Sequence, residues 1–392
     1  MVDLSKVVVL GGGNTGWTTA LYIKKKYPES NITVVASSKI GTVGVGEGTT
    51  PNFFELLKSL GFSEETLFRE LKATKKRGIY FDQWTNVDDG YYHNFVDYNG
   101  NDGYAIHFDT NACTTFLQQE GLKRGIKYID CNFVKCLSSG DYINTLLTDK
   151  HDIDCTFVFD CSGLRRAIIG KHPNNKWKSY KRYLKVNKAV TFTLPKSEKE
   201  HTYARAANYG WMFEIPTQER TGGGYLYNRE YINEAEAIEE VLDEYPQAEI
   251  GREIDFKAGS YNKVYIGNCL AVGLSTGFLE PLEATSLMTV AHQLDNWNKT
   301  ITHNDYNKKI RDLNKENMLF IYYHYMGKRD DTVFWEDYQT NIPKELKLIL
   351  DKDNRVEVKN NSKWNKFVSK LQAFEWYRWS IISNGISGKK LT

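Results

Sequence analysis

The chain has 392 residues, 41% of them apolar, enough to bury one large core or two abutting ones. Its 51 basic and 49 acidic side chains nearly cancel, and the densest basic stretch, residues 72–77, is short and runs into apolar residues, so neither nucleic acid nor a membrane surface is expected as a partner. Six scattered cysteines without a C-x-x-C pair, no secretory pattern and no apolar run of membrane-spanning length argue against a disulfide scaffold and a metal site, and leave a cytoplasmic protein with reduced thiols as the expectation.

Val7-Val8-Val9-Leu10 is a continuous apolar run, as a strand buried on both faces requires. Gly11 to Gly16 follow, then residues 17–26 at helical spacing, and Ile32-Thr33-Val34-Val35 supplies a second strand. The unit has the length of a parallel β-α-β crossover. Thr49-Thr50-Pro51 opens a helix carrying Phe53, Phe54, Leu56 and Leu57, and Ser63 before Glu64 and Glu65 caps the next. Residues 79–138 mix short strands with one helix at 114–123. Phe157-Val158-Phe159 reads as another buried strand, ending in Asp160-Cys161-Ser162-Gly163. Residues 171–260 read as strands and loops around one acidic helix near 234–245. Val264-Tyr265-Ile266 and Cys269-Leu270-Ala271-Val272 form a hairpin. Beyond Ser286 the chain is largely helical and rich in aromatics, a stripe that serves as core or as the wall of a pocket for a flat ring. No linker or repeat divides the sequence, so two regions are expected to interleave.

Gly11-Gly12-Gly13-Asn14-Thr15-Gly16 fits G-x-G-x-x-G between a strand and a helix. Glycines there permit a tight turn and close backbone approach, and the helix N-terminus attracts a pyrophosphate. The acid that usually binds the ribose is missing: the second strand ends in Ala36-Ser37-Ser38, with Ser37 a weaker substitute. Gly44-Val45-Gly46-Glu47-Gly48-Thr49-Thr50-Pro51 reads as a loop packed closely over a ligand. Lys76, beside Lys75 and Arg77, reads first as a solvated charge, and Glu283 first as a capping carboxylate for the helix that follows.

Taken together, these segments resemble the flavin-dependent halogenases of the tryptophan halogenase family. The resemblance is carried in one order by both glycine loops, Lys76 before Gly78-Ile79-Tyr80-Phe81, Ala105-Ile106-His107-Phe108-Asp109, Asp160-Cys161-Ser162-Gly163-Leu164-Arg165, Trp211-Met212-Phe213-Glu214-Ile215-Pro216, Gly277 to Ser286, and His324-Tyr325 with Arg329, Asp331, Phe334 and Trp335. It implies an α/β, GR2-like FAD-binding flavoprotein with a Rossmann-type βαβ module. Residues 1–295 would carry that module, interleaved with substrate-facing segments at about 75–110 and 171–260, and residues 296–392 a mainly helical substrate-binding region.

The resemblance further implies that Lys76 and Glu283 are catalytic. It places FAD on Gly11, Gly12, Gly13, Asn14, Thr15, Gly16, Ser37, Ile40, Glu47, Gly48, Leu274 and Leu287, and halide (chloride, bromide or iodide) on the amides of Thr285 and Ser286. His93, Phe95, Trp211, Phe213, Trp376 and Trp379 would line the pocket of a small aromatic substrate. A separate flavin reductase would supply reduced FAD, and oxygen and halide would yield hypohalous acid that travels to Lys76. A homo-oligomer is compatible with all of this. Three departures stand out: Phe213 where the family has a second Trp, Ala284 where it has Ser, and Ser286 where it has Gly. The chain also stops soon after residues 376–385, which implies a more open pocket and a broader or larger substrate than free tryptophan. Two rival readings are a flavin monooxygenase that hydroxylates directly, suggested by Phe213, and a non-catalytic FAD-binding protein, suggested by the missing ribose acid.

Overall fold

The computed structural model describes residues 2–41, 46–85, 90–96, 101–327, 329–350, 371, 374 and 376–387. The run Lys6–Leu10 becomes an inner strand of a six-stranded sheet whose order is 265–266, 269–271, 157–160, 6–10, 31–36, 127–130. Asn31–Ala36 and Phe157–Asp160 flank it in parallel register, and only the edge hairpin Tyr265–Ile266 with Cys269–Ala271 is antiparallel. Val7 to Leu10 are all buried, because parallel crossovers put cover on both faces of such a sheet. The helix Asn14–Lys26 supplies one crossover and buries Trp17, Leu21 and Ile23.

A second, seven-stranded sheet has the order 249–255, 188–194, 221–227, 210–216, 201–207, 78–82, 91–94. Its pairings are antiparallel except where Gly78–Asp82 runs parallel to His201–Ala207. It is assembled from residues 78–94 and 188–255, which fall in the chain between strands of the first sheet. The sequence reading found strands in 171–260 but did not assemble them, because three of the six pairings join strands that are not consecutive in the chain. A small sheet of Glu47–Gly48, Ala105–Phe108 and Thr74–Lys76 leads directly into the larger one across Arg77. That junction is tight: a Cβ at Gly78 would lie 2.2 Å from the His93 carbonyl oxygen.

Two large apolar clusters correspond to the two sheets, and the helix His303–His324 serves both. Tyr306, Ile310 and Leu313 pack in the first, while Met318 to Tyr323 pack in the second. Its 22 residues span about 33 Å, long enough to bridge them. The helix expected at 114–123 begins earlier, at Thr110, because Asp109 caps it by accepting from the Asn111 and Ala112 amides at 3.0 and 2.8 Å. Among the described residues, no helix is long and apolar enough to cross a membrane, and the six cysteines are unpaired.

Candidate functional site

The first glycine loop is shaped by contacts that only glycine tolerates. Gly11 has φ +123°, and a Cβ there would come within 2.2 Å of the Cys161 carbonyl oxygen. A Cβ at Gly16 would fall 1.9 Å from the Gly11 carbonyl oxygen, and one at Gly12 would lie 2.8 Å from Ala36 Cβ. Gly13 is the N-cap of the helix Asn14–Lys26; no side chain caps that helix and no acid sits in its first turn. Its free amides and the positive end of its dipole are therefore left to an anion, which fits the pyrophosphate of a dinucleotide. Asn14 is committed elsewhere, accepting from Thr114 Oγ1 at 2.6 Å. Thr15 packs against Gly273, in the turn that carries Leu274.

At the end of the second strand, Ser37 is nearly buried and its carbonyl accepts from the Ile40 amide at 3.1 Å, while the Ile40 side chain is exposed. No carboxylate ends that strand, yet one stands beside it. Ser38 donates to Asp130 through its amide at 2.8 Å and its hydroxyl at 2.7 Å. Asp130 ends the neighbouring strand Lys127–Asp130, and only parallel pairing across 92 residues brings it there. In the second glycine loop, Glu47 and Gly48 pair with Phe108 and His107, whereas Gly44 and Val45 lie outside the described residues. Leu287 packs in the first apolar cluster.

Lys76 is 1% exposed and is no surface charge. Pairing with Ala105 fixes its strand, its Nζ donates to the Thr49 carbonyl at 2.9 Å, and the Phe95 ring lies 5.3 Å away. Gly48 closes over it: a Cβ there would sit 3.2 Å from Nζ. Burial lowers the pKa of this ammonium to about 8, against the opposing pull of the Glu283 charge.

Glu283 is 2% exposed and does not cap the following helix. It has φ +65° and its neighbour Ala284 φ +53°, two successive non-glycine residues in the left-handed region. This turn sends the carboxylate to two histidines. His93 Nδ1 donates to Oε1 at 2.7 Å, and His324 Nε2 lies 3.1 Å from the same oxygen, close without hydrogen-bonding alignment. Burial raises the Glu283 pKa, but the two histidines outweigh it and hold the carboxyl well below its usual range. The Tyr91 hydroxyl is 2.9 Å from His324 Nδ1, and the Phe81 ring stacks on both Tyr91 and His324 at 4.8 and 4.4 Å. His93 is thus completely buried as a partner of Glu283, with Phe95 edge-on to it at 6.4 Å. The sequence reading quoted His324 within a motif but gave it no role, and it passed over Tyr91. Nothing local marks either residue as a neighbour of Glu283.

Glu280 was also missed. It is wholly buried, and its Oε2 accepts from Trp211 Nε1 at 3.2 Å and from the Tyr325 hydroxyl at 2.7 Å. Burial raises its carboxyl to about 7, those two bonds working against the rise. Trp211 is thereby tied to the loop that bears Glu283. Phe213 lies 6.0 Å from Trp211 and covers Gly224, where a Cβ would meet its ring at 2.6 Å. Trp379 is buried inside the second cluster, against Phe320 and Tyr323, in the helix Trp376–Ile386. The Trp376 side chain lies outside the described residues. Thr285 and Ser286 open the helix Thr285–Asn296 and, with Leu274, Thr289 and Asn314, line a cavity of about 10 Å³.

The sequence model of the family described as Tryptophan halogenase matches residues 6–103 and 97–386. Tryptophan 6-halogenase SttH of Streptomyces toxytricini is 27% identical over 423 residues, covering 86% of this chain and 81% of that protein. Tryptophan 7-halogenase RebH of Lentzea aerocolonigenes is 25% identical, with 91% and 82% covered. The crystal structure of SttH superimposes with a TM-score of 0.85 over 97% of this chain and 90% of its own, at 25% identity. Xcc4156, a flavin-dependent halogenase from Xanthomonas campestris, does so with a TM-score of 0.82 over 98% and 94%, also at 25% identity. A family match running nearly end to end, on a fold that buries a lysine and a histidine-held glutamate, leads to one conclusion: the chain belongs to the tryptophan halogenase family and is an enzyme of the flavin-dependent halogenase type.

Proposed function

We propose that this enzyme halogenates an electron-rich, indole-like ring beside Lys76 and Glu283, using halide, oxygen and FAD delivered in reduced form by a separate reductase. The observation that carries the reading is the burial of two oppositely charged groups. Lys76 is desolvated under Gly48, and Glu283 is held ionised by His93 and His324. Residues 1–295 would hold the flavin, with substrate-facing segments at about 75–110 and 171–260, and residues 296–392 would complete the substrate side. Gly11 to Gly16 would hold the pyrophosphate, with Ser37, Ser38 and Asp130 at the ribose edge. Bound there in reduced form, FAD supplies the electrons with which oxygen and halide become hypohalous acid.

The chain's own residues act at the ring. The Lys76 ammonium, anchored by the Thr49 carbonyl, donates a hydrogen bond to the oxygen of hypohalous acid and polarises its bond to halogen. As the ring carbon takes the halogen, that bond breaks, and the departing hydroxide takes a proton from the Lys76 ammonium and leaves as water; the proton that Glu283 then removes from the ring restores the ammonium. The Glu283 carboxylate stabilises the cationic ring and takes its proton. A carboxylate held so firmly in its charged form is a weak base, but a protonated arene carbon is a strong acid, so the transfer is still downhill. The similarity to SttH and RebH, whose names give tryptophan as their substrate, supports an indole-type ring. The Trp211 indole, bonded to Glu280, and Phe213 would form the wall between this site and the flavin.

The test is product analysis of the purified enzyme with reduced FAD, oxygen, chloride or bromide, and a panel of indoles. A halogenated ring that appears only when halide is present supports the proposal. An oxygenated ring formed equally well without halide would establish hydroxylation instead, and no product with any substrate would favour a binding role.

A further inference from the structure

The helix Thr285–Asn296 begins without a cap of its own. Its N-cap is Ala284, no side chain bonds to its first amides, and its first turn carries no acid. The two carboxylates of the preceding loop are engaged elsewhere, Glu280 with Trp211 and Tyr325 and Glu283 with His93. Uncapped amides at the positive end of a 12-residue helix favour an anion. The cavity at that end, about 10 Å³, is roughly the space one water-sized sphere needs. Such a space has room for a monatomic ion.

A second observation points to the same ion. Asn314, contributed by the helix His303–His324, lines this cavity and is 2% exposed, yet its Nδ2 has no hydrogen-bond partner among the described residues. Buried amide donors are nearly always paired, so an orphan on a residue that lines a cavity implies a missing acceptor. Thr289, on the same wall, does not fill that role: its Oγ1 accepts from Asn317 Nδ2 at 3.0 Å and makes no bond to Asn314. We infer that Asn314 is a side-chain donor to the halide, completing with the amides at Thr285 and Ser286 a site that selects for the smaller ion.

The inference rests on the halogenase reading above and assigns it a specificity residue. Chloride is a stronger hydrogen-bond acceptor than bromide or iodide and smaller than either, so loss of this donor should weaken chloride most. Asn314→Ala is expected to raise the chloride Kd at least tenfold, with a smaller effect on bromide because the same change enlarges the cavity. Asn314→Asp, which turns a carboxylate toward the ion, should abolish binding of both.

Titration of the FAD-loaded wild-type and variant proteins with chloride and with bromide, followed by intrinsic tryptophan fluorescence, reads these constants without turnover. Anomalous diffraction from bromide-soaked crystals of the wild type locates the ion. Bromide between the start of this helix and Asn314 Nδ2, together with the chloride-selective loss, supports the assignment. Bromide at the helix start with an unchanged chloride Kd in Asn314→Ala overturns the role of Asn314 and leaves the halogenase reading standing. Absence of bromide there overturns the site, whereas the halogenase reading itself falls only if no halide-dependent product forms. Should Asn314→Ala fold poorly, the wild-type bromide position still decides.

Discussion

Replacing Lys76 by methionine separates the chemistry of the site from the energy of burying it. The ammonium titrates near 8 in the folded protein and near 10.5 when solvated. That difference corresponds to about 3 kcal/mol of unfavourable desolvation whenever the group is charged. Below pH 8 both states hold the proton and the whole penalty is present. Between 8 and 10.5 the unfolded chain binds more proton than the folded one, so this residue makes the enzyme more stable as pH rises. Methionine has nearly the same shape and no charge, so Lys76→Met removes the penalty and loses the bond to the Thr49 carbonyl, worth about 1.5–3 kcal/mol. At pH 7 the variant should equal wild type or exceed it by about 1 kcal/mol, and above pH 10 that difference should move by about 3 kcal/mol in favour of wild type. Denaturant unfolding of both proteins across pH 7–10.5 measures this, and the difference between the two cancels every other titrating group. Ring halogenation should meanwhile be lost. A stability difference that does not change with pH would refute the desolvated ammonium, and a variant that still halogenates at the wild-type rate would refute its role.

Glu280 carries the opposite linkage. Its carboxyl is raised from 4.5 to about 7, so the folded state holds a proton that the unfolded chain has released, and stability falls as pH rises through that window. Glu280→Gln keeps an acceptor for Trp211 and Tyr325 but cannot titrate, and it should gain up to about 3 kcal/mol relative to wild type between pH 4 and pH 8, measured by thermal or denaturant unfolding. His93→Ala removes the donor at 2.7 Å from Glu283, letting burial push that carboxyl upward. Its pH–rate profile should gain an acidic limb that wild type lacks, with a drop of roughly ten- to a hundredfold in kcat. Asp160→Ala deletes the acceptor of four hydrogen bonds, from the Ser162 amide and hydroxyl at 3.1 and 2.5 Å and the Ile168 and Ile169 amides at 3.0 and 2.9 Å. It should cost about 3–5 kcal/mol, and a loss below about 1 kcal/mol would show that this turn has another support.

What could be read from the sequence was what is local. The strand–glycine–helix unit, the acidic helix Glu234–Glu244 and the Ser63 cap follow from periodicity and from residues within one turn of each other, and they stand where expected. The seven-stranded sheet was not legible, because its one parallel junction, 78–82 with 201–207, joins segments more than 120 residues apart. The same limit governs the site. Lys76 and Glu283 drew notice only through family resemblance, since their residue types fit a solvated charge and a helix cap equally well. Burial and backbone dihedrals decide against both of those readings. His324, Tyr91 and Asp130 owe their positions to tertiary pairing and left no local trace. Asp109 and Asp160, quoted within motifs, hold backbone together: one caps a helix and the other ties a turn.

The twin left-handed torsions at Glu283 and Ala284 have a consequence for any attempt to retune this enzyme. Each costs on the order of 1–3 kcal/mol away from glycine, so the main chain works like a cocked hinge that the surrounding core keeps from springing back. Glycine at 284 would ease the hinge and let the carboxylate wander. A β-branched residue there would force it open and swing the carboxylate off His93. The bearing of that one acid is therefore written in two torsion angles, and position 284 is where a substitution would turn it.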